Sequence, residues 1–343
     1  MKKHLAILLA LALLLAAGTA SAATTLKLSE VHAEGYPTTL ADREFARLVE
    51  ERTEGRIKIE VYSGGTLYGE ETGAIEALQL GDIAFSRVSA SPVSSYVPAM
   101  NAIQMPYLYK NANHMWAVLD GEIGQNMLAQ IEASGSGLVG LCWYDAGARS
   151  YYTNKPVTCV ADMKGLKIRM QNNRMMVAMT NVLGGVGVTG IGPNEVYSAI
   201  TQGTIDGAEN NWPTYQNMGD YEAAPYYVLD KHTMVPEILL ASEAVLAELD
   251  EADVEIIKAC ARETQEYEKQ KWAEKEASSE QIVRAAGCTI TELTPEAFAE
   301  FQEAMTRPVT GVEGIDDGKS LYEMYGGAYQ DVIDAIIAVG EDF

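Results

Sequence analysis

Two arginines stand out in a chain that is short of basic residues. The 343 residues include 25 Lys and Arg against 48 Asp and Glu. Arg149 lies in GARSYYTNKPV, and Arg169 ends the short apolar strand of DMKGLKIRMQ. An arginine at a strand end presents a planar fork of donors suited to a carboxylate. In an α/β lobe, strand ends open on the cleft where ligands bind. Asn210, after TIDGAE, ends another short strand and can donate or accept. A lone arginine is more often a surface ion pair. That reading weakens when two arginines and an amide converge on strand ends.

Signatures of catalysis are missing. The sequence has no H-E-x-x-H, no G-x-S-x-G and no P-loop. His32, His114 and His232 are scattered, so no metal site is expected. Gly185, Gly187 and Gly190 match G-x-G-x-x-G, but they follow a helix and enter a strand, the reverse of the dinucleotide context. No cofactor is expected. Met170, Met175, Met176 and Met179 read as core. The four cysteines lack C-x-x-C spacing. In an exported chain Cys142 and Cys159 are the plausible disulfide pair, with separate buried thiols as the alternative.

The elements that must hold these residues alternate between strand and helix. Residues 25–31 and 56–62 read as strands, 39–54 and 70–80 as helices, and 82–88 as a further strand. The segment AIEALQLGDIAF (74–85) parallels VYSAITQGTIDGAE (196–209), which points to two lobes of related design. Residues 250–286 lack Pro and Gly and predict one helix on the order of 50 Å long, long enough to cross both lobes. A break near Ser278-Ser279 is the alternative.

The first 22 residues carry Lys2 and Lys3, an apolar run from Leu5 to Ala17, and Ala20-Ser21-Ala22. This is the pattern of a secretory signal peptide cleaved after Ala22. The apolar run is too short for a membrane span, which needs about 20 residues. Without the two leading lysines, 23 basic residues face 48 acids, a net charge of −25. Such a chain does not bind nucleic acid, and a periplasmic location is expected.

The sequence resembles the solute-binding proteins of tripartite ATP-independent periplasmic (TRAP) transporters over essentially the whole mature chain. The most specific blocks are ADMKGLKIRMQ (161–171) and NEVYSAITQGTIDGAEN (194–210). The resemblance implies an α/β, two-lobed periplasmic-binding-protein-like fold with hinge strands and a long helix spanning both lobes. Lobe one is expected from 23–146 and 236–275, and lobe two from 147–235 and 276–343. It implies that Arg169 grips the ligand carboxylate, aided by Arg149 and Asn210, with Gln171 beside them. The acidic turn LYGEE places Glu70 in the site, and the first-lobe contacts fall at His32 and Ser89. The run GAENNWPTYQNM, with MVPEILLAS, is similar to the hexuronate-binding branch. D-glucuronate or D-galacturonate is therefore the expected ligand, with Trp212 and Tyr215 either stacking on the sugar or packing beneath the site. The implied partners are TRAP membrane permease subunits, and a monomer is expected. A C4-dicarboxylate, a keto acid or a sialic acid are alternative ligands. A uronate-acting enzyme using Glu70 or Glu209 as acid or base, and a sensor module on a membrane signalling protein, are the rival functions.

Overall fold

The computed structural model describes residues 23–343, so the expected signal peptide lies outside the described residues. Twelve strands form two separate sheets. The first contains β1 (Thr24–Ser29), β2 (Ile57–Tyr62), β3 (Phe85–Ser89), β4 (Leu138–Tyr144) and β11 (Glu237–Ser242), in the order β2-β1-β3-β11-β4. The second contains β5 (Ala148–Thr153), β6 (Lys167–Arg169), β7 (Val186–Val188), β8 (Gly207–Asn210), β9 (Tyr226–Val228) and β12 (Thr289–Thr291), in the order β12-β9-β5-β8-β6-β7; β10 (Thr233–Met234) pairs with β5.

The local sequence explains these elements. In β2 the alternation of IKIEVY buries Ile57, Ile59 and Val61 and leaves Lys58 and Glu60 outside. All five residues of β3 are buried, as a strand covered on both faces requires. The helix Pro37–Arg52 starts on Pro37, whose missing N–H costs nothing there. It packs Phe45, Leu48 and Val49 into the first-lobe core. Gly81 ends the helix Glu71–Leu80 at φ 77°, a conformation glycine adopts freely. The G-x-G-x-x-G stretch forms β7 and the turn after it, with Gly190 at φ 77°.

Within each sheet, parallel pairs (β1 with β2 and β3, β6 with β7 and β8) meet antiparallel strands contributed by the hinge. The chain passes from β4 to β5 through Asp145-Ala146-Gly147 and returns from β10 to β11 through Val235-Pro236. The helix Glu251–Ala285 is a third connection. It is unbroken over 35 residues, about 52 Å at the α-helical rise. It packs against the helix Pro37–Arg52 and β4 in the first lobe and against the helix Trp212–Asn217 in the second.

Two expectations are corrected. The C-terminal helix Gln330–Val339 lies on first-lobe residues 98–104 and 112–120, not on lobe two. Its Ile336 carbonyl contacts His114 Nε2 at 2.8 Å, and Ile333 and Ile336 bury their side chains there. The cysteines are all free thiols. Cys142 is buried on β4 in the first sheet, whereas Cys159 opens the turn Val160–Met163 in the second lobe.

Candidate functional site

The carboxyl ends of β1, β3, β6 and β8 converge between the sheets, where parallel strand ends present side chains to a cleft. They enclose a cavity of about 20 Å³. The first lobe contributes Val31 and His32 after β1, Glu71 at the start of its helix, Arg87 and Ser89 from β3, and Glu237 from the first residue of β11. The second lobe contributes Arg149 from β5, Arg169 and Gln171 around the end of β6, Pro193, Asn210 and Thr214.

The three arginines differ in their partners. Arg149 is fully engaged. Its Nε lies 2.5 Å from Glu209 Oε2, its Nη2 2.8 Å from Glu209 Oε1, and its Nη1 donates to Asn210 Oδ1 at 3.1 Å. Arg87 donates to Glu30 at 3.0 and 2.6 Å, to Glu71 at 2.6 Å, and to Glu237. Arg169 is 7 % exposed and spends its Nε on the Ile191 carbonyl at 2.9 Å. Among the described residues no carboxylate forms an ion pair with it. Burial pulls its guanidinium below the ordinary arginine value; Glu209 partly offsets this and Arg149 adds to it. A buried, unpaired guanidinium is costly unless an anion joins it. Of the three arginines, Arg169 is thus the one left without an anionic partner among the described residues.

The opposite wall is acidic and rich in acceptors. Burial opposes ionisation of Glu30, yet Arg87 and His32 hold its carboxyl well below the usual range. His32 lies with Nδ1 2.9 Å from Glu30 Oε1 and 2.7 Å from Arg87 Nη2, stacked on Tyr36. Burial, then Arg87, pushes the imidazole below its ordinary pKa. Ser89 Oγ donates to Glu237 Oε1 at 2.9 Å and accepts from Gln171 Nε2 at 2.8 Å. Gln171 Oε1 has no partner among the described residues.

Six of the nine expected site residues therefore line the cavity: His32, Ser89, Arg149, Arg169, Gln171 and Asn210. Three do not. Glu70 is the residue before the helix; it lies 3.5 Å from Asn172 Nδ2 and lines an adjoining cavity with Arg169 and Gln171, while the next residue, Glu71, faces both cavities. Trp212 stacks on Tyr227 at 4.0 Å, and Tyr215 donates its hydroxyl to the Ala224 carbonyl at 2.6 Å. Both are packing beneath the site. The residues that sequence reasoning missed are Glu71, Arg87, Thr214 and Glu237. Arg87 in FSRVS and Glu237 in VPEILL are lone charges in apolar strands, the one signal available in advance.

Glu209 is buried and bonded through both carboxylate oxygens; burial opposes its ionisation, but Arg149 and then His232 bring it down to about 2. It carries no proton to donate. Among the described residues no group of three or more His, Cys, Asp or Glu is arranged to hold a metal, and no helix is long and apolar enough to cross a membrane.

Residues 28–312 match the family model described as bacterial extracellular solute-binding protein, family 7. A solute-binding protein of Chromohalobacter salexigens is 36% identical over 264 residues, 77% of each chain. Among solved structures, a TRAP periplasmic solute-binding protein of Pseudomonas putida F1 with bound D-glucuronate is 35% identical, with TM-score 0.84, covering 92% of this chain and 97% of that one. One from Bradyrhizobium sp. BTAi1, in complex with α/β-D-galacturonate, is 32% identical, with TM-score 0.84, covering 92% and 100%.

Proposed function

Because the chain belongs to family 7 of the bacterial extracellular solute-binding proteins and is a TRAP solute receptor, we propose that its ligand is a hexuronate, D-glucuronate or D-galacturonate. The observation that carries this reading is Arg169, a buried guanidinium with no carboxylate of its own. The acceptors opposite it, Glu71, Ser89 and Glu237, suit the hydroxyls of a sugar ring. Gln171 and Asn210 add amide groups. Similar proteins at 32% and 35% identity hold galacturonate and glucuronate.

A cavity of about 20 Å³ does not hold a sugar acid with the lobes as they stand. Entry requires the bonds that bridge the cleft, such as Gln171 to Ser89, to give way and the lobes to part at 145–147 and 235–236. Micromolar affinity requires about 8 kcal/mol. A bidentate carboxylate pair at about 1.5–3 kcal/mol per charge-assisted bond, with several hydroxyl bonds, supplies that after ordering costs.

The enzymatic alternative finds no poised group. Glu209 is locked to Arg149, and Glu70 lines only the adjoining cavity, beside Asn172. The receptor is placed in the periplasm by a signal peptide cleaved after Ala22, which N-terminal sequencing of the exported chain checks. It delivers its ligand to membrane permease subunits.

The decisive measurement is ligand-induced thermal stabilisation. A saturating uronate at about 100 times Kd stabilises by about 2.7 kcal/mol, which raises Tm by several degrees. Arg169→Ala is expected to remove that shift while leaving the unliganded protein folded. An unchanged shift in the variant rejects the carboxylate seat, and a wild type that responds to no uronate rejects the ligand.

A further inference from the structure

The first-lobe wall gathers more carboxylates than cations, and burial pushes Glu237 above its ordinary value against the pull of Arg87. Three carboxylates, Glu30, Glu71 and Glu237, converge on one guanidinium, Arg87, and all four side chains are buried or nearly so. His32 Nδ1 faces Arg87 Nη2, which can only donate, at 2.7 Å, so that nitrogen brings no proton to them.

Their bonding separates the three. Glu30 is saturated: it accepts from Arg87 twice, from Thr38 Oγ1 at 2.9 Å and from the His32 backbone N–H at 2.8 Å. It lies behind the cavity. Glu71 and Glu237 line it. Glu71 takes its bonds from Arg87 and from the Ser89 N–H through Oε1 alone. Glu237 accepts one bond on each oxygen, from Arg87 and from Ser89 Oγ. A carboxylate offers about four lone-pair sites, so both retain acceptor capacity toward the cavity.

The cleft thus carries both signs: the second lobe offers the unpaired Arg169, and the first lobe offers carboxylates with spare lone pairs. A ligand hydroxyl meets those lone pairs as a donor. A second ligand carboxylate meets them as a like charge in a site that excludes water, where repulsion is weakly screened.

We propose that Glu237, backed by Glu71, restricts this receptor to acids with a single carboxylate, by demanding a hydroxyl donor where the ligand faces the first lobe. The proposal rests on the carboxylate seat at Arg169 and extends it from what the site grips to what it refuses. Glu237 suits this role because it is the first residue of β11, held in register opposite Ser89 and Tyr144, so its side chain is fixed at the hinge side of the cavity.

The test compares D-galactonate with galactarate, open-chain acids that differ only in a terminal CH2OH or carboxylate, with D-galacturonate run alongside. Affinities are measured by calorimetry on the mature chain, on Glu237→Gln and on Glu71→Gln. The readout is the ratio of affinity for the better-bound monoacid to that for galactarate. A ratio above about 100 is expected in the wild type. Each added or removed like charge at close range is expected to move it by a factor of about 10 or more. Glu237→Gln keeps an acceptor for Ser89 and removes the charge, so the monoacid weakens, galactarate strengthens, and the ratio falls at least tenfold. Should Glu237→Gln not fold by circular dichroism, Glu71→Gln carries the same comparison, since Arg87 retains Glu30. A wild type that takes galactarate within tenfold of the monoacid overturns the proposal. So does a ratio unmoved in every folded variant. Galactonate binding without galacturonate binding rejects the uronate reading and leaves the selection rule standing.

Discussion

Arg149 and Arg169 look alike in sequence and do different work. Both end up buried at strand ends. Only Arg149 has a carboxylate of its own, Glu209, which in turn lies 3.5 Å from His232 Nε2; His232 Nδ1 is 2.8 Å from Asp230 Oδ2. This makes Arg149 a positioning residue that fixes Asn210, and it gives the stability a defined pH window. Burial opposes the charged imidazole, but Asp230 and Glu209 raise His232 to about 9 from its ordinary 6.5. Its contribution is complete below 6.5 and lost as pH climbs through about 9. Glu209 is lowered from 4.5 to about 2, so its contribution is complete above 4.5 and lost as pH falls through about 2. Urea unfolding is therefore expected to show greatest stability from these groups between 4.5 and 6.5, with an alkaline decline that His232→Gln flattens. A decline equally steep in the variant assigns it to other groups. Six of the nine expected residues line the cavity because strand ends are legible in sequence. Glu70 and Glu71 were not separable: which of two adjacent carboxylates turns inward depends on where the helix begins, and Glu70 keeps an extended φ of −125° as its cap. Trp212 and Tyr215 were ambiguous because a helix starting at Trp212 turns their rings to the back of the site.

At the scale of elements, the long helix was plain in a run of 35 residues without Pro or Gly. Its tolerance of Ser278-Ser279 was not. Ser278 Oγ bonds the Lys275 carbonyl at 2.9 Å, and Ser279 is buried against the second lobe. The free cysteines and the return of the C-terminal helix to lobe one also lay beyond pattern reading, because both depend on which lobe a segment meets in space. The same helix presses on the hinge. Glu268 Oε2 accepts from the Asp145 N–H at 2.8 Å, and Trp272 and Glu276 cover Gly147. Gly147 has φ 56°, and a Cβ there would stand 2.5 Å from Glu276 Oε1 and 3.2 Å from Trp272 Nε1. Gly147→Ala adds left-handed strain of about 1–2 kcal/mol to that clash. The expected outcome is a loss of about 2–3 kcal/mol in chemical denaturation, with weaker uronate binding because the helix no longer seats on the hinge. A loss of only about 1–2 kcal/mol, the backbone strain alone, with unchanged uronate binding means that the helix side chains yield there and do not brace the hinge.

At the scale of the whole molecule, binding is a contest between open and closed arrangements, and the closed one has its own fastenings. Tyr36 to Thr214 at 2.9 Å and Asn194 to the Val31 carbonyl at 3.2 Å both cross between lobes. The densest fastening is Asn173, which touches no ligand atom in this reading and does not line the central cavity. Its Nδ2 reaches Ser91 O at 3.0 Å, Ser94 Oγ at 2.8 Å and Asn101 Oδ1 at 3.1 Å in the first lobe. Its Oδ1 caps the helix Arg174–Val182 by accepting from the Met175 N–H at 2.7 Å. One side chain thus ties a second-lobe helix to the first lobe. Asn173→Asp separates the two jobs: a carboxylate keeps the cap but offers acceptors to Ser91 O and Asn101 Oδ1, where donors are needed. Losing two such bonds at about 1 kcal/mol each disfavours closure by about 2 kcal/mol. Apparent affinity scales with the closed population, so the uronate Kd is expected to rise about 10- to 30-fold, while the helix content by circular dichroism is unchanged. Solution scattering of the unliganded variant should then show a more open mean conformation than the unliganded wild type. If Kd rises while the unliganded scattering is unchanged, Asn173 acts on the site and not on closure.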